Sequence, residues 1–223
     1  MTRVWEALAG GWIMWICCHI AVQKIEQKRR GEGVPRKRVL GSPSLIFAEG
    51  TSALFWIFYF LLIQKDAIPG TCLLVFVLLW GLNVLAITDG KWRLVPNEIL
   101  LLLGLCWLGI GCMGGLLGRE CVWTFLWNGF SGACVGGGIL GLASWLSHKK
   151  LGAGDVKLAF VLGLYLAETG ILSVLFYSMI IAGLVVLIQL KRAHFRKNVT
   201  VPLVPFFYLG TGLHLILMCF HFT

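Results

Sequence analysis

The chain has 223 residues, of which 58% are hydrophobic and only 13% are charged, and its mean hydropathy is +0.86. This composition excludes an ordinary soluble domain and is typical of a protein that crosses the membrane several times. A net charge of +9 could indicate a nucleic-acid surface, but the basic segments lack the interleaved aromatic residues of such surfaces. We therefore expect no nucleic-acid partner.

Eight apolar stretches follow one another along the chain. A helix needs about 20 residues to cross a bilayer, and all but the sixth stretch reach roughly that length. We therefore predict an all-α polytopic membrane protein with about eight transmembrane helices. The first stretch lacks a signal-peptide cleavage site, so we expect it to remain as a span. The expected spans are residues 4–22, 45–63, 71–88, 97–117, 121–146, 155–168, 170–190 and 201–219.

Basic residues are distributed unequally between the two sides that this topology defines. Fifteen Lys and Arg residues lie in the connections on one side, and three lie on the other. By the positive-inside rule the first side is cytoplasmic, so both termini should lie outside. The basic run at residues 24–38 should then contact anionic lipid headgroups. The basic connections are residues 23–44, 89–96, 147–154 and 191–198.

Glycines are concentrated in the fifth predicted span, in the sequence NGFSGACVGGGILGLASW. Gly132 with Gly136, and Gly137 with Gly141, form two pairs of small residues spaced four apart. Such pairs allow helix backbones to approach each other closely in lipid. We predict that this span packs tightly against a neighbouring helix.

The cysteines and histidines show no metal-ligand pattern. The eight cysteines lie almost entirely in apolar stretches and form no CxxC pair, which favours reduced, buried thiols. The five histidines are dispersed and form no HxxxH or HExxH pair, and no serine lies in a GxSxG sequence. We therefore predict neither a metal centre nor a serine nucleophile.

Only ten acidic residues are present, and two of them lie where predicted spans end on the cytoplasmic side. Asp89 follows the third span, and Asp155 begins the sixth within LSHKKLGAGDVKLAF. A charge at a span end is costly unless it faces water, a partner or the protein interior, so such residues are candidates for function. For either residue alone, an ordinary interfacial aspartate is the alternative.

Two aspartates at one membrane depth can form a catalytic pair. Close carboxylates cannot both ionise cheaply, so one holds a proton while the other stays charged. Such a pair can activate a water and protonate a leaving amide nitrogen, and it needs no cofactor for this. Gly152 and Gly154 predict an open turn where a substrate strand could pass close to Asp155. Lys157 could hold the charge of the pair or bind a substrate carbonyl, although snorkelling is the simpler explanation.

Three segments carry recognisable motifs. Residues 89–97 read DGKWRLVPN, residues 151–160 read LGAGDVKLAF, and residues 201–210 read VPLVPFFYLG. Together they resemble the type IV prepilin peptidases, which belong to the GxGD aspartyl proteases. In that family an aspartate is followed by Pro-Asn, then by a GxGDxKL segment, and finally by a Pro-x-x-Pro-Phe segment. The resemblance implies that Asp89 and Asp155 are the catalytic pair. From the sequence, Asn97 of the first motif is expected to cap the fourth helix.

The resemblance also implies a substrate and a location. The substrate would be a type IV prepilin or pseudopilin precursor, cut at the cytoplasmic face of the inner membrane between its basic leader and its hydrophobic helix. The chain would comprise an N-terminal helical pair, residues 1–70, and a six-helix GxGD peptidase core, residues 71–223. Members that also methylate the new N-terminus usually carry a CxxC…CxxC zinc element in the first cytoplasmic loop, whereas residues 23–44 contain no cysteine. S-adenosylmethionine would thus be a cofactor only if methylation is retained.

Two other functions would also use a pair of carboxylates in a membrane. A small proton- or cation-coupled transporter would place them near the midplane, in broken helices, whereas this pair is predicted at one face. An intramembrane-cleaving GxGD protease typically has a tyrosine before its first aspartate, and here Thr88 precedes Asp89. Leader-peptide cleavage is therefore the favoured prediction.

Overall fold

The computed structural model describes residues 2–31, 69–116, 121–147, 152–192 and 202–221. Within these ranges the chain forms six helices and no strands, as the all-α prediction requires. The helices are α1 (Thr2–Gly31), α2 (Pro69–Trp92), α3 (Asn97–Leu116), α4 (Val122–Leu146), α5 (Ala153–Arg192) and α6 (Val204–His221).

Among the described helices, α1 to α5 are long and apolar enough to cross a membrane, and α6 carries a shorter apolar stretch. This confirms a protein with several membrane spans. The second predicted span, at 45–63, lies outside the described residues, as do the connection 32–44, Lys149 with Lys150, and residues 193–198. The total of eight spans and the sides of the two termini stay predictions.

The helix α1 continues well beyond the predicted span, which ended at residue 22. Its last turns, from Gln23 to Gly31, were predicted as the start of a cytoplasmic loop. The difference has a simple cause. Hydropathy falls at Gln23, but Gln, Lys, Glu and Arg are good helix formers, so the backbone remains helical after the apolar stretch has ended.

The helix α5 reverses direction sharply at Ala167, whose backbone is non-helical with φ 54° and ψ −169°. Gly136 of α4 lies against both sides of this break. A Cβ atom on Gly136 would be 2.7 Å from the carbonyl oxygen of Ala159 and 2.8 Å from Cγ1 of Ile171. A straight helix would separate those two residues by about 18 Å. Residues 153–166, the first arm, and 168–192, the second arm, therefore fold back on each other and correspond to the two predicted stretches.

Tight packing between α4 and the first arm depends on glycine. A Cβ atom on Gly132 would lie 2.5 Å from the carbonyl oxygen of Gly163, and one on Gly163 would collide with the backbone of Gly132. No side chain fits between the two backbones, as the predicted small-residue pairs require. All four glycines of those pairs lie near residues of α5: Gly132, Gly136, Gly137 and Gly141.

The helix α2 is the most buried of the candidate spans, with 67% of the residues in its most apolar stretch inside the protein. It contacts α1, α3, α5 and α6. Its leucines Leu78, Leu79, Leu82 and Leu85 are at most 1% exposed and form the centre of the core. The last turn of this central helix carries Asp89, whose side chain is buried.

Candidate active site

Asp89 is held at the C-terminal end of α2 by the first residue of another helix. Its side chain is buried, with 7% exposed. The backbone N–H of Val204, where α6 begins, donates a hydrogen bond of 3.2 Å to Oδ2 of Asp89. A helix N-terminus carries partial positive charge and stabilises a carboxylate. The C-terminal motif thus positions the aspartate of the first motif, a contact that sequence analysis did not foresee.

The chain turns tightly after Asp89. Arg93 adopts a left-handed backbone with φ 54°, and its N–H donates to the carbonyl oxygen of Asp89 at 2.9 Å. This hydrogen bond closes the end of α2 in the manner of a left-handed C-cap. The charged side chain of Arg93 also interacts electrostatically with the Asp89 carboxylate. Arg93 therefore shapes the end of α2 and places a positive charge near Asp89.

Asp155 lies in the first turn of the first arm, half-buried. Its backbone N–H donates to the carbonyl oxygen of Gly152 at 3.1 Å, which closes the Gly-Ala-Gly turn. A Cβ atom on Gly152 would lie 3.3 Å from Oδ2 of Asp155, so a larger residue would crowd the carboxylate. The Asp89 carboxylate is near enough for its charge to act on that of Asp155. Two aspartates 66 positions apart in the sequence thus lie at one end of the helical bundle.

Gly154 brings the two motifs into contact. A Cβ atom on Gly154 would lie 3.0 Å from Cβ of Val95, a residue of the turn that follows Asp89. The glycine was predicted to leave room for a substrate strand. In the structure, the space that a side chain of Gly154 would need is taken by Val95. Because glycine has no Cβ atom, the turn before Asp155 can approach the turn after Asp89.

Lys157 forms a second link between the motifs. Its Nζ donates a hydrogen bond of 3.2 Å to Oδ1 of Asn97. Asn97 was predicted to cap α3, but it is already the first helical residue. The carbonyl of Pro96 accepts the N–H groups of Ile99 (3.2 Å) and Leu100 (3.5 Å), so Pro96 occupies the cap position. The prediction for Asn97 was wrong because a Pro-Asn boundary does not reveal which residue makes the first helical hydrogen bond.

A groove of about 690 Å³ opens beside Asp155, between α3, α4 and the first arm. We call it the lateral groove. The first arm is also linked to α3 by a hydrogen bond of 2.7 Å from the hydroxyl of Tyr165 to the carbonyl oxygen of Leu103. Polar groups lie at the end next to Asp155, and the remaining surface is apolar. The lining residues are Asn97, Glu98, Leu100, Leu101, Gly137, Val156, Lys157, Phe160 and Val161.

Metal-binding side chains are not clustered in the part of the chain that the structure describes. There, no three His, Cys, Asp or Glu side chains are grouped as ligands for an ion. Around the Asp89 carboxylate the structure places the N–H of Val204 and the charge of Arg93.

Comparison with protein-family models matches residues 76–187 to the type IV leader peptidase family. The matched segment is just over half of the chain and contains both Asp89 and Asp155. No curated protein and no solved structure matches the chain.

Proposed function

The chain belongs to the type IV leader peptidase family, and from this membership we propose that it is a membrane aspartyl endopeptidase that removes the leader from type IV prepilin-like precursors. The observation that carries the proposal is that the turns bearing Asp89 and Asp155 contact each other at one end of the bundle, through Val95 and Gly154. Family membership alone makes the protein a peptidase. The aspartate pair supplies a mechanism for it.

The proposed reaction uses one proton shared by the two carboxylates. The ionised carboxylate removes a proton from a water molecule while the oxygen of that water attacks the scissile carbonyl carbon. The protonated carboxyl group then gives its proton to the amide nitrogen, and the carbon–nitrogen bond breaks. Asp89 is fixed for this role by the N–H of Val204, and Asp155 by the glycine turn. Hydrolysis by such a pair consumes only water, so the proposal requires no cofactor.

The lateral groove supports a precursor as substrate. A prepilin-like chain has a basic leader followed by a hydrophobic helix, and the bond to be cut lies between them. With this bond at Asp155, the start of the hydrophobic helix would lie along the apolar surface of Leu100, Leu101 and Phe160. The leader would then extend towards the basic connections, on the side that the positive-inside rule makes cytoplasmic.

Two neighbouring glycines of α4 test the groove. Gly137 lines it, and a Cβ atom there would lie 3.2 Å from Cδ2 of Phe160, whereas Gly138 is exposed and has nothing within 4 Å. We expect Gly137→Leu to raise the KM for the precursor by about tenfold with little change in kcat, because it removes binding surface rather than catalytic groups. Gly138→Leu, which changes helix propensity equally, should leave KM unchanged. An equal KM in both variants would exclude the groove as the binding surface.

The contact between Gly154 and Val95 predicts a different kinetic effect. In Gly154→Ala the added methyl group must displace Val95, and with it the spacing of the two aspartates. We expect kcat for precursor cleavage to fall between about tenfold and a hundredfold, since small misplacements of reacting groups are costly. Gly90→Ala is the matched control, because a Cβ atom on Gly90 meets nothing within 4 Å. Wild-type kcat in Gly154→Ala would mean that this contact does not set the geometry.

The direct test of the function is incubation of the membrane-embedded protein with a prepilin-like precursor, followed by mass analysis of the products. We expect one new N-terminus, between the basic leader and the hydrophobic helix. Cleavage inside the hydrophobic helix would favour the intramembrane protease instead. Proton or cation flux through vesicles without any cleavage would favour the transporter. The same spectra test methylation, because adding S-adenosylmethionine would increase the mass of a methylated terminus.

A further inference from the structure

Two ion pairs join α1 to the segment that follows Asp89. Oε2 of Glu26 lies 3.6 Å from Nζ of Lys91, and Nζ of Lys28 lies 2.6 Å from Oε1 of Glu98. The polarity is opposite in the two pairs, since α1 supplies an acid to the first and a base to the second. The C-terminal part of α1 therefore contacts this segment in the last turn of α2 and again in the first turn of α3.

The two pairs differ greatly in burial. The Lys91 side chain is only 6% exposed and that of Glu26 is 22% exposed, whereas Lys28 and Glu98 are 59% and 77% exposed. A solvated pair of the second kind contributes little. A buried ammonium group requires a partner, because leaving it uncompensated is strongly unfavourable. The Lys91 ammonium also lies 5.4 Å from the centre of the Trp92 ring. The Glu26–Lys91 pair is therefore the significant link.

Glu26 is directed towards α2 by the periodicity of α1. Met14, Cys18 and Val22 are at most 2% exposed and belong to the central core. Cys18 Sγ also lies 3.9 Å from the carbonyl oxygen of Trp80, the acceptor of its hydrogen bond. Glu26 follows Val22 by four residues, which places the two side chains one above the other on the same helix face. Because α1 remains helical past its apolar stretch, a glutamate predicted to lie in a cytoplasmic loop faces the end of α2 instead.

Lys91 and Asp89 are two positions apart on a helix, so their side chains leave it about 200° apart. Lys91 accordingly contacts α1 on one side of the last turn, while Asp89 contacts α6 on the other. We propose that Glu26 is a positioning residue for the catalytic pair: through Lys91 it fixes the last turn of α2, and thereby the Asp89 carboxylate, against α6. The inference rests on the proposed function, and it makes α1, which precedes the matched family segment, part of the catalytic apparatus.

The test compares Glu26→Gln with the exchanged pair Glu26→Lys/Lys91→Glu. Glu26→Gln should lower kcat for precursor cleavage by about tenfold or more, per molecule of folded protein, with KM unchanged. The exchanged pair restores an acid–base contact and should recover most of the loss. Lys24→Gln, at an exposed position of the same helix, is the control and should match the wild type. Wild-type kcat in Glu26→Gln, or no recovery in the exchanged pair, would overturn the proposal.

Amide hydrogen exchange gives a readout that does not depend on cleavage. In Glu26→Gln, exchange should accelerate at Arg93 and Val204, whose N–H groups bond to the carbonyl and carboxylate of Asp89. Exchange in α4 should stay unchanged, which separates local loosening from general destabilisation. Unchanged exchange at both amides would overturn the inference whatever the activity. If the wild type cleaves no precursor, the proposed function fails, while exchange still decides whether Glu26 fixes the Asp89 turn.

Discussion

Replacement of either Asp89 or Asp155 by asparagine is expected to abolish precursor cleavage while the protein still inserts into the membrane. Each substitution keeps the size of the side chain but removes a group that can hold the shared proton. We expect kcat to fall on the order of 10³-fold in each single variant. The measurement is the rate of leader removal by equal amounts of membrane-inserted protein.

The double variant and a third carboxyl group make this result specific. Because the two aspartates act as one unit, Asp89→Asn/Asp155→Asn should be no worse than either single variant. Glu168, exposed beyond the reversal of α5, is the matched control, and Glu168→Gln should cleave at the wild-type rate. Retained cleavage in either aspartate variant, or an equal loss in Glu168→Gln, would exclude the pair as the catalytic centre.

The two aspartates could be predicted from the sequence because charge is rare in this chain and its position is therefore informative. Their neighbours could not. The N–H of Val204 that holds Asp89 is 115 positions away, and a backbone donor has no signature in the sequence. Gly154 was predicted to leave room for a substrate strand, whereas its approach to Val95 depends on where the two turns meet in space.

Hydropathy likewise predicted some features of the fold and missed others. Hydropathy located the stretches that became α2 to α6, and an interruption near Glu168 separated the two arms of α5. Hydropathy did not predict the end of α1, because the apolar stretch ends before Gln23 whereas the helix continues beyond it. Hydropathy reports transfer into lipid, whereas helix formation depends on the backbone, and the two diverge wherever a helix leaves the membrane.

That divergence explains why Glu26 was assigned to a loop. In a connection rich in Lys and Arg, a single glutamate indicates nothing by itself. Only after α1 is extended past residue 22 does Glu26 follow Val22 on the buried face, and only then does a buried Lys91 acquire its counter-ion. A periodicity search continued past the apolar boundary would have found this alignment, because the interval of four residues is already present in the sequence.

The closest helix contact gives the largest expected effect on stability. In Gly163→Val the side chain would meet the backbone of Gly132, which cannot move aside without separating α4 from the first arm. Overpacking of this kind costs about 3 kcal/mol, or roughly 10 °C in the unfolding midpoint for a chain of this length. Gly183→Val is the control on the same helix, because a Cβ atom there meets nothing within 4 Å. Thermal unfolding in detergent measures both.

The same variant links packing to catalysis. The first arm carries Asp155 at its start and Gly163 in its third turn, so a shift that relieves the clash also moves the aspartate away from Asp89. Cleavage by Gly163→Val should therefore be impaired even at temperatures where the variant remains folded, and Gly183→Val should be unaffected. If Gly163→Val unfolds at the wild-type temperature, then α4 and the first arm do not pack backbone against backbone. The position of Asp155 would then have to be set by its turn and by Lys157 alone.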